Sequence, residues 1–212
     1  MGTDVDLQTP RGRRAFVIEL CRRRQRPGSG SDLVALMEGA PLMHWPDLRE
    51  LLDPIPWAVI GAVAARLYMP ERATKDIDIM VADQDLSAAE HRLAEADWGR
   101  LGDLAVGGST WRSPKGTQLV LLSCAEPWCH EALTEAQQNR DPEGLPVIPL
   151  PHLVLLKLAS SRTTDVGDLC RMLGLADDAA LERVREAVRK HAPEDLEDLE
   201  ALVELGRLET TR

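Results

Sequence analysis

Residues 74–81 read Thr-Lys-Asp-Ile-Asp-Ile-Met-Val, an alternation of acidic and apolar side chains that suits a strand with one buried face and one polar face. Successive side chains in a strand point to opposite sides, so Asp76 and Asp78 share a face while Ile77 enters the core. Two neighbouring carboxylates repel each other. A divalent cation between them removes that cost, and hard cations such as Mg²⁺ accept carboxylate and phosphate oxygens together. An acidic sheet edge facing water shows the same pattern, so the pair needs its context.

That context begins upstream. Residues 57–60 (Trp-Ala-Val-Ile) are a short apolar run meeting Gly61, and an Ala-rich segment follows to Tyr68, with Pro70 as a stop. This predicts strand, glycine turn and helix. Downstream, residues 87–96 predict an amphipathic helix. Residues 109–112 and 117–123, joined by Ser-Pro-Lys-Gly, predict a hairpin, and residues 145–150 a short strand. Helical spacing covers 126–139, 151–161, 163–173, 177–191 and 194–208. Before residue 57 the chain predicts a helix over 13–24, with Phe16, Val17, Leu20 and Cys21 at helical spacing. A linker at 27–31 and a short helix at 46–52 follow. The fold class expected is α/β (α+β): a small mixed sheet flanked by helices, with a helical N-terminal extension (1–56), an α/β core (57–150) and a helical C-terminal region (151–212) packing on it.

The run Ile60-Gly61-Ala62-Val63-Ala64, followed by Tyr68, Arg72, Thr74 and Asp76-Ile77-Asp78, resembles the nucleotidyltransferase superfamily with the polymerase-β-type fold. That family has a Gly-Gly or Gly-Ser turn opening a helix, then an Arg-x-Thr-x-Asp-x-Asp strand. The resemblance implies that Asp76 and Asp78 hold Mg²⁺ or Mn²⁺. Gly61 and Ala62 would line the nucleotide, with Gly61 letting backbone approach phosphate, and Arg72 would reach phosphate or brace the strand. Residues 151–173 look like the Lys…Arg-x-x-Asp-x-x-Asp helical motif of bacterial minimal and abortive-infection AbiEii-type nucleotidyltransferase-like proteins. In a continuous helix Lys157, Ser161, Asp165 and Asp168 would share a face. The resemblance implies that Lys157 meets the triphosphate and that Asp165 orients it or assists proton removal. Asp168 reads as structural, capping or pairing with Arg171 or Arg162. An ion-paired helix packed on the sheet has the same sequence.

The implied reaction moves NMP from an NTP to an acceptor hydroxyl of RNA, a small molecule or a protein. Family members commonly carry a third carboxylate on a later strand. Here that strand is 117–122, whose Gln118 and Val120 occupy one face, and no Asp or Glu stands between Asp103 and Glu126. Ala62 also replaces the second small residue of the family turn. Either Asp165 substitutes for the missing acid, or the domain is degenerate and binds a nucleotide or a partner protein, as in a toxin–antitoxin or abortive-infection pair.

Charge narrows the partners. Of the 212 residues, 25 are basic and 35 acidic, a net of −10. Residues 1–26 hold seven arginines (11, 13, 14, 22, 23, 24 and 26) against three acids, so the rest of the chain carries −14. An acidic body repels polynucleotide, and a nucleic-acid grip would be local to that stretch, which reads first as a solvated helix face. Residues 177–212 hold eleven acids and six bases, with Leu196, Leu199, Leu202, Val203 and Leu205 in a stripe that suits either a partner or the protein's own core. Cys21, Cys124, Cys129 and Cys170 lack paired CxxC spacing and read as buried thiols, with Cys124-x4-Cys129-His130 a single candidate ligand pair. No leader or long apolar run is visible, which suggests a cytoplasmic protein without a membrane span.

Overall fold

The computed structural model describes residues 6–24, 46–70, 74 and 76–210. The 27–31 linker, Arg26 and Arg72 lie outside them. The chain divides into two compact units, one from Gly39–Leu67 and Glu71–Pro149, the other from Met1–Glu38, Tyr68–Pro70 and Leu150–Arg212.

The first unit is built on a five-stranded mixed sheet in the order β1-β2-β5-β4-β3. Its strands are β1 (Trp57–Ile60), β2 (Asp76–Ala82), β3 (Gly99–Asp103), β4 (Gly108–Arg112) and β5 (Gln118–Cys124). β2 pairs parallel with β5, and the other pairings are antiparallel. Among the described residues, four short α-helices accompany it: α2 (Arg49–Leu52), α3 (Gly61–Ala65), α4 (Leu86–Glu95) and α5 (Cys129–Ala136). Every residue of β1 is buried, as an apolar run should be in a strand covered on both faces. β4 alternates instead, as do β2 and β5 over their first four residues. Ile77, Ile79, Ser109, Trp111, Leu119 and Leu121 are buried on one face, where α4 lies: Ser109 Oγ donates to Glu90 Oε1 at 2.6 Å, and Trp111 Nε1 donates to Ser109 Oγ at 2.8 Å.

Two readings of this unit change. Residues 145–150 form no strand of the sheet. Val59 N–H donates to the Pro146 carbonyl at 2.7 Å and Ile148 N–H to the Val59 carbonyl at 3.0 Å, an isolated bridge against β1. Pro146 and Pro149 lack the N–H groups a longer ladder would use, and Leu150 already opens a helix. β3 was not visible in the sequence. Its Gly-Arg-Leu-Gly-Asp has no period-2 pattern and few residues with strand preference, so pairing with β4 makes it a strand, with an irregularity between Arg100 and Gly102.

The second unit contains α1 (Pro10–Arg24), α6 (Leu150–Ser160), α7 (Thr163–Leu175), α8 (Asp178–His191) and α9 (Leu196–Thr210). Leu199, Leu202, Val203 and Leu205 are buried, so the acidic region's apolar stripe belongs to this unit's own core. α7 and α9 cross with backbones touching: a Cβ on Gly206 would lie 2.0 Å from the Cys170 carbonyl oxygen, and one on Gly174 2.4 Å from that of Gly206. Cys124, Cys129 and Cys170 are buried and Cys21 partly so. No helix among the described residues is long and apolar enough to cross a membrane.

α1 corrects the reading of the arginine cluster. Its inward face carries Arg14 and Ile18, whereas Phe16 is 48% exposed and Leu20 39%. Arg14 is 2% exposed and far from a solvated face. Its guanidinium donates to Asp198 Oδ2 at 2.8 Å, to Ser161 Oγ at 2.7 Å, to Asp195 and to the Leu158 carbonyl, joining α1 to α6 and to the start of α9. A planar five-donor fork is suited to such multiple acceptors. Arg14→Met leaves two partly buried carboxylates without their cation and should cost about 3–5 kcal/mol of stability in urea unfolding; restoring balance with Asp195→Leu and Asp198→Leu should recover part of it.

Candidate functional site

On the side of the sheet away from α4 lie Asp76 and Asp78, both half-buried. Thr74 Oγ1 donates to Asp76 Oδ1 at 2.7 Å, which orients that carboxylate. Thr74 precedes Asp76 by two residues, so a period-2 reading puts them on one face; that signal was present in the sequence. Asp78 pairs with Ile60, the residue before Gly61. Gly61 has φ 65°, and a Cβ there would stand 2.0 Å from Asp78 Oδ2. Glycine is therefore demanded twice, by a left-handed backbone and by the carboxylate packed against it. Ala62 is buried behind the turn.

The β2–β5 register settles what faces the acidic pair. Asp76 stands opposite Gln118 and Asp78 opposite Val120. Paired residues share a face, so an amide and an isopropyl group, and no carboxylate, stand beside the acidic pair on β5. The next strand places Arg112 opposite Gln118 and Thr110 opposite Val120. Sequence reasoning passed over both, although the 113–116 turn fixes this register: Ser113 N–H donates to the Thr117 carbonyl at 2.8 Å and Gly116 N–H to the Ser113 carbonyl at 2.9 Å.

Two hard carboxylate groups suit Mg²⁺, which binds through one or two carboxylates and completes its shell with water and substrate phosphates. Among the described residues no group of three or more His, Cys, Asp and Glu side chains is placed to hold a metal. The two carboxylates fit a divalent cation whose remaining ligands are phosphate and water oxygens.

Lys157, Asp165 and Asp168 come together in the helical unit, but by a different route from a continuous helix. α6 ends at Ser160, Ser161 takes φ 50°, and α7 starts at Thr163. Across that break Lys157 Nζ donates to Asp165 Oδ1 at 3.0 Å and to Asp168 Oδ2 at 2.7 Å, with all three residues at most 4% exposed. Ser161, expected on the same face, points elsewhere: its hydroxyl accepts from Arg14 and donates to the Leu158 carbonyl. Asp165 also accepts from Ser160 Oγ and from Arg162 Nε, the latter at 3.0 Å. Burial pushes the Asp165 carboxyl up, but the Ser160 bond, the Lys157 charge and bond and the Arg162 bond outweigh it and hold the group below the usual carboxylate range. These bonds lie within the α6–α7 joint and brace it.

No protein-family model matches the chain, and no curated protein does. Two solved structures resemble it in chain path. One is the crystal structure of ANT(2'')-Ia in complex with adenylyl-2''-tobramycin, at 16% identity and TM-score 0.37, covering 89% of this chain and 97% of that one. The other is the solution structure of the antibiotic-resistance factor ANT(2'')-Ia, at 16% identity and TM-score 0.39, covering 90% and 92%. Likeness this remote carries no argument about activity, so the site residues must.

Two outcomes follow from the geometry. Gly61→Ala should lose roughly 1–3 kcal/mol from backbone conformation alone, with a further loss from the Asp78 contact, read by thermal unfolding. Asp165→Asn should cost about 1.5–3 kcal/mol at neutral pH. Because the folded carboxyl titrates below its unfolded value, that stabilisation is present above about pH 4 and fades as pH falls through the lower folded value. Wild-type and Asn variants should therefore converge in stability in acid.

Proposed function

We propose that the sheet unit carries a metal-dependent nucleotidyltransferase site that moves NMP from an NTP to an acceptor hydroxyl. The observation supporting it is the pairing of Asp76 and Asp78 with a glycine whose absent side chain makes room for Asp78 Oδ2. Asp76 and Asp78 would hold Mg²⁺ or Mn²⁺, with Thr74 keeping Asp76 in place. Backbone at Gly61 and Ala62 would approach the triphosphate, and Arg72 is assigned to phosphate or to bracing β2.

The acceptor oxygen attacks the α-phosphorus, the bond to the bridging oxygen of the β-phosphate breaks, pyrophosphate leaves, and the hydroxyl loses its proton. A bound divalent ion supplies charge neutralisation and polarisation of the phosphoryl group. The chain's own contribution is to align the reactants. Gln118 and Val120 cannot take the proton, so on the described strands of this face the available bases are Asp76 and Asp78. Lys157 and Asp165 are assigned to triphosphate binding and orientation or proton removal only in a state in which the cluster opens; closed, they hold α6 to α7.

The Gln118–Val120 face also supports a second reading, a catalytically degenerate module that binds nucleotide or a partner protein. Membership of a toxin–antitoxin or abortive-infection pair belongs to either reading through the resemblance at residues 151–173.

Incubation with Mg²⁺ or Mn²⁺, each labelled NTP, and RNA, protein or small-molecule acceptors should produce covalent label, lost in Asp76→Ala plus Asp78→Ala. No label with any of the four NTPs would sink the transfer. A melting-temperature rise with NTP–Mg²⁺ and no turnover would select the binding module.

A further inference from the structure

Arg112 is exposed and, among the described residues, has neither a hydrogen-bonding side-chain partner nor a carboxylate within ion-pair distance. This sets it apart from Arg49, Arg66, Arg100 and Arg185 of the same chain, each of which is paired with an acid. Its position is determined by two registers read in series: Arg112 opposite Gln118, and Gln118 opposite Asp76. Strands lie about 4.8 Å apart, so the Arg112 backbone is about 10 Å from that of Asp76 on the same face. Gln118, whose amide has one acceptor and two donors, stands between them in the sheet. Beyond Arg112, β3 presents Gly99 opposite it and Gly102 opposite Thr110, so no β3 side chain crowds the guanidinium at those two positions.

The sheet order gives this cation a side. Gly61 and β1 flank β2 on one edge, while β5 and β4, with Gln118 and Arg112, flank it on the other. With the nucleotide assigned to the Gly61 edge, the acceptor falls to the Arg112 edge. We propose that Arg112 is a specificity-determining residue for an acceptor that carries an oxyanion, phosphate or carboxylate, a short distance from its reacting hydroxyl. The guanidinium fork matches either oxyanion bidentately, and Gln118 adds hydrogen bonds to the polyol between. Where a third carboxylate would repel such an acceptor, this face presents a neutral amide and then a positive charge. The assignment to an acceptor rests on the nucleotidyltransferase reading; the anion site itself does not.

The probes are ribose 5-phosphate and ribose, titrated into the full-length ¹⁵N-labelled chain. The Arg112 Nε–Hε resonance, identified by its disappearance in Arg112→Lys, should shift saturably with ribose 5-phosphate. Its apparent Kd should be at least tenfold lower than that read from any other exposed arginine or obtained with ribose. Arg112→Gln, which changes an exposed side chain, should keep its melting temperature and lose the accompanying shifts at the Thr110 and Gln118 amides. A response at Arg112 no stronger than at other arginines, meaning adventitious ion pairing only, overturns the proposal. So does a preference for the phosphorylated sugar that survives in Arg112→Gln. The parent reading is tested separately by NTP–Mg²⁺ binding to wild type and to Asp76→Asn plus Asp78→Asn. If wild type binds no NTP–Mg²⁺ while Arg112 still selects the sugar phosphate, the transferase reading fails and the anion site stands.

Discussion

The burial of Ile77 and Ile79 is the constraint on which the sheet unit depends. Both are fully buried on the face covered by α4, and their burial leaves no choice about Asp76 and Asp78. A one-residue slip of β2 would put two carboxylates into the core and two isoleucines outside, a penalty of many kcal/mol from charge desolvation alone. The same register fixes Ile60 beside Asp78, hence Gly61 beside its carboxylate, and Gln118 beside Asp76. The candidate site is thus a by-product of apolar packing on the other side of the sheet.

The helical unit depends on buried charge in a comparable way. Arg14 and Lys157 each bring two acids together, Asp195 with Asp198 and Asp165 with Asp168. Both clusters converge on the α6–α7 joint, since Arg14 also binds Ser161 and the Leu158 carbonyl. Removing either cation leaves two acids facing each other in a poorly solvated place, so these networks specify how the helices meet as much as they stabilise the unit.

Much of this is legible in the sequence. The alternation at 74–81, the apolar run ending at Gly61 and the hairpin turn at 113–116 are local patterns, and local sterics and periodicity decide them. The absence of a third acid opposite the pair was also readable, because a strand's face follows from parity. Other elements were not readable. β3 has no pattern of its own and exists because β4 offers it a ladder. Residues 145–150 carry strand-like side chains, but their prolines limit them to a bridge. On α1 the periodicity of Phe16 and Leu20 suggested the wrong face, since a buried arginine is legible only when its distant carboxylates are known.

By itself, then, the sequence determined the acidic pair, its shared face, the glycine that must precede it and the neutral residues on the later strand, Gln118 and Val120. Each follows from the two-residue period of a strand or from glycine's freedom at positive φ. Only the tertiary structure decided that Arg14 is a buried organiser, that Lys157 holds Asp165 and Asp168 across a helix break, and that Arg112 shares the face of Asp76. Those relations join residues separated by up to 184 positions, and local periodicity carries no information about which distant groups a fold will bring within hydrogen-bonding reach.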